Sequence, residues 1–350
     1  MEVRAIAAGA EMTERELLAA ACDGDSDAFR RLVEPHRTAL HAHCYRMLGS
    51  LHDSEDALQE ALLRAWRGLC RFDRRSALSS WLYRIATNVC LDALSRRSKR
   101  VLPIDYGPAV EDGAETGAAP VAEFVWVEPY PDEALGLGAG YAAPAARYEQ
   151  REAVELAFVA ALQHLPPRQR AVLILREVLG LTAREVGEML GASVASVNSL
   201  LQRARRSIDE RLPEQSQQET MRSLGDERVR ELVGQFVDAF ERADVEAIVG
   251  LLADDATFAM PPYSDWRRGR EAIADSWLMP SGPASSLRYV PTSANGQVAL
   301  GTYRLVPEEK RYVPVALDVL TLRDDRIADV TAFRTLELFD RFGLPATLAA

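Results

Sequence analysis

Between Leu181 and Arg206 the chain carries two apolar stripes at helical spacing, parted by a single glycine. In the first, Leu181, Val186, Met189 and Leu190 follow a start at Thr182, with Glu185 three residues on as a capping-box partner. Gly191 supplies the turn, and Ser193 caps a second helix that is expected to bury Val194, Val197 and Leu201. The pattern is that of a helix-turn-helix, and it leaves Ser196, Asn198, Ser199, Gln202, Arg203 and Arg206 facing outward. Short polar groups near the start of such a helix and arginines towards its end suit base edges and phosphates. The same spacing also fits a solvated helical hairpin within an ordinary all-α protein, and both readings stand at this point.

The rest of the chain narrows the choice. Its 350 residues allow two or three domains, each with its own core. A formal charge of −11 argues against a coat of basic surface, but the charge is unevenly placed. From Ala61 to Arg100 ten Lys/Arg face two Asp/Glu, whereas Pro103 to Ala146 holds eight acids and no Lys or Arg. A basic helical block beside an acidic spacer suits a nucleic-acid binder whose attraction is local. Cys22, Cys44, Cys70 and Cys90 are widely spaced without a CxxC pair, and read as reduced thiols. His41 and Cys44 share a helical face but His43 points away, so no metal centre is expected. No apolar run approaches the ~18 residues of a membrane span, and Met1 to Ala10 lacks the order of a signal peptide. A cytoplasmic protein without cofactor follows as the expectation. Lysine is almost absent: Lys99 and Lys310 are the only two.

Along the chain, Thr13 and Glu16 open a short helix, and a second runs from about Asp25 to Leu48 before Gly49. A third, Asp53 to Leu69, turns Ala57, Leu58, Ala61, Leu62, Ala65 and Trp66 inward behind acidic first turns that suit the helix dipole. The basic loop Arg71 to Arg75 leads to a fourth helix, Leu78 to about Arg97. Pro103 to Ala146, rich in Pro, Gly, Ala and acid, reads as a linker or functional arm with one hydrophobic island, Phe124 to Pro131. Helices resume from Arg147, and Pro213 with the Gln/Ser/Glu run after it marks a further boundary. Beyond it come two amphipathic helices, Val229–Phe240 and Val245–Leu252. Strand-like runs follow at Thr257–Met260, Arg288–Thr292, Gln297–Val306, Tyr312–Leu322 and Arg326–Phe333, with a hairpin turn at Asp324-Asp325. Helices followed by antiparallel strands imply an α+β cone.

The ordered set Asp53-Ser54-Glu55-Asp56-Ala57-Leu58-Gln59-Glu60, then Phe72 with Trp81 through Asn88, then Leu165-Pro166, Gly191 and Arg205, resembles the extracytoplasmic-function sigma factors of bacterial RNA polymerase. It spans roughly residues 15 to 212. Asp244 to Ala247, Leu252 to Asp255, Met260 to Pro262 and Arg268 to Ile273 resemble a SnoaL-like domain of the ketosteroid-isomerase superfamily. Trp126-Val127-Glu128-Pro129-Tyr130-Pro131 and Phe342-Gly343-Leu344-Pro345 are similar to phrases in sigma factors with C-terminal extensions. The fold class implied is multidomain: two all-α sigma modules, a region 2 bundle and a region 4 helix-turn-helix, plus a C-terminal α+β cone. Boundaries are expected at 13–100 for region 2, 101–146 for the linker, 147–212 for region 4 and 225–350 for the SnoaL-like domain.

The resemblance implies that Asp53, Glu55, Asp56, Gln59, Glu60 and Leu63 meet core RNA polymerase, through its β′ clamp with β as a further contact. It puts a captured −10 base near Phe72 to Ser76 and Asn88, with Arg71, Arg74, Arg75, Arg84 and Arg96 supplying cations for single-stranded promoter DNA. Trp81 fits either stacking or the core. Ser196, Asn198, Ser199, Gln202, Arg203 and Arg206 form the −35 face. Trp126, Pro129, Pro131, Trp266 and Asp318 are regulatory contact candidates. Asp318 shares a strand face with Ala316, Leu320 and Leu322, and is either a buried acid with a raised pKa or a group that meets solvent or an arginine. An anti-sigma factor and a small ligand are further candidate partners, and no membrane is. The expected activity is promoter-specific initiation without catalysis, regulated in cis by the C-terminal domain. Two rivals remain, a helix-turn-helix regulator acting without polymerase and an isomerase-type enzyme with an accessory DNA-binding half.

Overall fold

Local signals place the helices of the amino-terminal half. The computed structural model describes residues 12–73, 76–97, 99–110, 120–121, 125–135, 151–277, 286–334 and 336–350. Helix α1 (Glu14–Cys22) opens on a complete Thr13/Glu16 capping box. Asp25 accepts from the backbone of Asp27 and Ala28 to start α2 (Ser26–Leu48), and Gly49, left-handed at φ 68°, ends it. Ser50 caps α3 (Leu51–Gly68), and α4 spans Leu78–Leu94, three residues short of the expected end. Their inward stripes, including Leu32, Leu58, Ala61, Leu82 and Val89, form one bundle core. Trp81 belongs to it, 7% exposed with its ring 5.2 Å from that of Phe72.

After a single turn, α5 (Pro103–Tyr106), the chain returns as α6 (Leu156–Gln163) and α7 (Pro167–Leu173). The helix-turn-helix follows: α8 (Ala183–Leu190) behind a Thr182/Glu185 capping box, Gly191 at φ 61°, and α9 (Val194–Asp209) capped by Ser193. One expectation fails here. Val194 is 46% exposed, because the buried stripe of α9 is Val197, Leu201, Ala204 and Ile208. Val194 stands about 60° off that stripe at the helix's open end. Residues of α6 to α9 share a continuous core with α1 to α4, so the two helical modules are packed together.

The run after Pro213 is not merely a boundary. Ser216 and Glu219 make a capping box that starts α10 (Gln217–Leu224), followed by α11 (Asp226–Glu241) and α12 (Val245–Leu251). Strand β1 begins at Leu252, which the sequence pattern puts in the preceding helix, and spans Leu252–Ala259. Then come β2 (Trp266–Arg268), α13 (Arg270–Trp277), β3 (Leu287–Ala294), β4 (Gln297–Val306), β5 (Arg311–Arg323), β6 (Arg326–Phe333) and β7 (Leu348–Ala349). The sheet order is β2-β1-β6-β5-β4-β3 with β7 on β5, antiparallel except for the β1–β6 pair. Strand alternation divides its two faces. Leu300, Leu320, Leu322 and Val330 pack on α11 and α12 within the domain. Ala299, Tyr303, Leu317, Val319 and Phe333 instead meet Tyr45 of α2, Leu51 of α3, Val127 and Tyr130 of the linker, and Val159 of α6. The linker segment 125–135 is therefore partly core: Trp126 is 3% exposed, and Val127 and Tyr130 are fully buried. A pure tether has no reason to carry such apolar residues.

Candidate functional site

Helix α3 presents a divided acidic face. Asp56, Gln59 and Leu63 are exposed, Leu63 to 49%, and Glu60 is half-exposed and paired with Arg64 one turn on. Asp53 and Glu55 are occupied from within the chain. Asp53 pairs with Arg97, and its Oδ2 accepts from Arg100 at 2.8 Å. Burial works against a charge on Asp53, but the bonds and charges of Arg97 and Arg100 outweigh it and hold the carboxyl below its usual range. Glu55 pairs at 3.1 Å with Arg341, in the 3₁₀ segment Leu336–Phe342 near the carboxyl end. The helix start is also claimed by the linker, for Glu128 accepts from the backbone N–H of Leu51 at 2.9 Å and of His52 at 3.3 Å. A carboxylate there satisfies donors that no helical carbonyl can reach. Arg100 donates to Glu128 at 3.2 Å and to the carbonyl of Trp126 at 2.7 Å, binding the linker to the helix.

The second set lies on the loop before α4 and on α4 itself. Arg71, Ser76, Arg84, Asn88 and Arg96 are exposed, and Phe72 is half-buried. Arg84 and Asn88, four residues apart, stand on one face of the helix. Arg74 and Arg75 lie outside the described residues. On α9, Ser196, Asn198, Gln202, Arg203 and Arg206 are exposed and Ser199 is half-buried, with Arg203 donating to the Ser199 hydroxyl at 3.0 Å. Arg205 on the neighbouring flank pairs with Glu177 at 2.6 Å. These two sets are brought into one compact body, not to opposite ends of an extended one.

What sequence reasoning missed is the joint that holds the three modules. Asn295, at the β3–β4 turn with φ 57°, donates 2.8 Å bonds to the Tyr45 hydroxyl and to the carbonyl of Val154, and its Oδ1 accepts from Tyr130 N–H at 2.8 Å. Tyr45 in turn donates to the carbonyl of Glu128 at 2.7 Å, and the Tyr130 hydroxyl meets His41 Nδ1 at 2.7 Å. Asp132 accepts from Gly296 N–H at 2.8 Å, and Glu155 from Gln218 N–H at 2.8 Å. Burial pushes both carboxyls upward against these bonds, that of Glu155 to about 7. The Asn-Gly pair in a hairpin position was the available signal; its partners lie 141 to 250 residues away.

Among the regulatory candidates, Pro129 and Pro131 are buried with the island, and Pro131 bridges Ala294 of β3. Trp266, 5% exposed, donates from its indole N–H to the carbonyl of Gly107 at 2.8 Å, while its own carbonyl accepts from Val110 at 2.8 Å. The linker thus runs along β2, an edge strand. Asp318 resolves to a buried acid. It is 7% exposed on the face of Leu320, its Oδ2 accepts from Thr302 at 2.7 Å, and burial raises its pKa to about 7 against that bond.

Comparison with known proteins completes the picture. Family models for Sigma-70 region 2, Sigma-70 region 4 and a SnoaL-like domain match residues 32–100, 155–208 and 233–330. The chain is 41% identical over 323 residues to ECF RNA polymerase sigma factor SigG of Mycobacterium tuberculosis (strain ATCC 25618 / H37Rv), covering 91% of this chain and 85% of that protein. It is 30% identical to ECF RNA polymerase sigma factor SigW of Bacillus subtilis (strain 168) over 54% of this chain and 91% of that one. The crystal structure of Mycobacterium tuberculosis extracytoplasmic function sigma factor SigJ shares the fold, with a TM-score of 0.57 at 22% identity, covering 89% of this chain and 97% of SigJ.

Proposed function

The chain belongs to the extracytoplasmic-function sigma factors, which bind core RNA polymerase and direct promoter-specific initiation, and from that premise we propose that its SnoaL-like module holds the two sigma modules in a closed form. The observation that carries this is the shared core of α1–α4 and α6–α9, sealed by the Asn295 joint. The −10 and −35 elements lie about 25 base pairs apart, roughly 85 Å of B-DNA at ~3.4 Å per pair. Helices in contact have axes on the order of 10 Å apart, and α4 and α9 both pack on α7 and α8, so the two DNA faces stand only a few helix diameters apart. Reading both elements at once requires the modules to separate.

The assignment of roles follows from the exposures. Residues 13–100 act as region 2, with Asp56, Gln59, Glu60 and Leu63 open to polymerase while Asp53 and Glu55 are held internally. Arg71, Phe72, Ser76, Arg84, Asn88 and Arg96 face −10 DNA, and the outward residues of α9, within 147–212, face −35 DNA. Residues 101–146 and 225–350 regulate in cis through Trp126, Pro129, Pro131 and Trp266. The protein works in the cytoplasm and has no turnover of its own. Asp318, deep in the domain with a threonine as its bonded partner, is a core acid in this reading.

Run-off transcription with purified core enzyme tests the closed form. The chain truncated after Leu212 is expected to yield at least about tenfold more transcript than the full chain. Equal output from both overturns cis regulation and leaves the sigma activity untouched.

A further inference from the structure

Lys99 and Lys310 are the only lysines among 41 basic residues, so arginine serves nearly every surface ion pair in this protein. Where the chain departs from that habit at Lys99, the setting is unlike an ion pair. Lys99 Nζ lies 2.6 Å from His164 Nδ1, and on the far side of that ring Nε2 lies 3.2 Å from Asp105 Oδ2. Arginine cannot lose its proton at ordinary pH, whereas an ammonium group yields one readily once desolvated. We propose that Lys99 is a modification site, acylated on Nζ by a small activated acyl donor with His164 as proton acceptor and Asp105 as the neighbouring charge that favours a proton on the far ring nitrogen.

The arrangement has the parts that activate a weak nucleophile: the amine, a base in contact with it, and a carboxylate beyond the base. For Nζ to donate to Nδ1, the imidazole must be neutral with its proton on Nε2, which is the tautomer that Asp105 favours. Partial burial lowers the pKa of Lys99, the Asp105 charge opposes this, and Arg211 and Arg170 lower it further. Burial likewise depresses His164, with Asp105 pulling the other way and the charges of Lys99 and Arg211 adding to the depression, which favours the neutral ring. His164 is 12% exposed and Asp105 32%, while Lys99 itself reaches the surface, where a donor can approach. With an acyl phosphate as donor, the neutral Nζ attacks the carbonyl carbon and a C–N bond forms. The C–O bond to phosphorus-bound oxygen breaks, phosphate leaves with the electron pair, and the surplus proton on nitrogen passes to His164 Nδ1 and then to solvent. The product amide carries no charge, so the cation linking the end of the region 2 segment to the end of α6 is lost.

Incubation of the full chain with acetyl phosphate, followed by peptide mass spectrometry, compares Lys99 with Lys310 in the same molecule. Lys99 is expected to acylate at least about tenfold faster, and His164→Gln to bring it down to the rate of Lys310. Asp105→Asn, at a half-exposed position, gives an intermediate rate and serves if the His164 variant does not fold. Equal rates at Lys99 and Lys310 in the parent chain overturn the proposal, as does a fast Lys99 whose rate is indifferent to both substitutions.

Discussion

Two seams join the modules of this protein, and they are built differently. Between the helical modules the seam is apolar, with Leu162, Ala171, Val172 and Ile174 joining Leu82, Val89 and Cys90 in one core. Between those modules and the SnoaL-like domain it is studded with Tyr45, Tyr130, Asp132, Glu155, Gln218 and Asn295, all buried and bonded. Apolar contact is non-directional and weakens by degrees as area is lost. A buried polar network is satisfied in one register alone, and a partner left unpaired costs more than the bond contributes. The apolar seam therefore gives cohesion, and the polar seam gives a latch that is either engaged or released.

That contrast is exposed first at Asn295. Asn295→Ala leaves Tyr130 N–H and the Val154 carbonyl without their partner and puts a Cβ residue without a polar side chain at φ 57°. The expected loss is about 4 kcal/mol, read as release of the C-terminal module in limited proteolysis and as a rise in run-off transcript. If the variant remains closed, the latch lies elsewhere. Leu162→Ala, fully buried in the apolar seam, is expected to lower the urea-derived stability of the sigma modules by about 3 kcal/mol. Latch release in this variant as large as for Asn295→Ala would erase the distinction.

The smallest effect is pH-dependent. Burial pushes the Glu155 carboxyl from its ordinary 4.5 up to about 7 in the closed form, so the closed form binds the extra proton. Its contribution is fully present below about 4.5 and is lost as pH rises through about 7. Closure should weaken by on the order of 2 kcal/mol between pH 5 and 8. Glu155→Gln should flatten that slope, measured by the pH dependence of proteolytic release, and a slope unchanged in this variant would assign the titration to another group, Asp132 being the neighbour in the same seam.

Much of the fold was legible because its signals are local. Capping pairs such as Thr13/Glu16 and Thr182/Glu185, the left-handed glycines at 49 and 191, and the period-two strands β3 to β6 each depend on residues within one turn or one strand. The outward residues of α9 are legible on the same ground, whereas Val194 lies in the open first turn, off the stripe of Val197, Leu201, Ala204 and Ile208. The Ser216/Glu219 box carries the same local signal inside a polar run.

Amphipathic periodicity and caps, encoded within a few residues of one another, settled the helical modules, their order and the strand-bearing domain behind them. Only the tertiary structure decided that Glu128 caps α3, that Arg341 reaches Glu55, and that Asn295 meets Tyr45 across 250 residues. Such pairings depend on how separate amphipathic faces come to share a core, and a polar residue in isolation carries no record of the donor or acceptor that burial will bring to it.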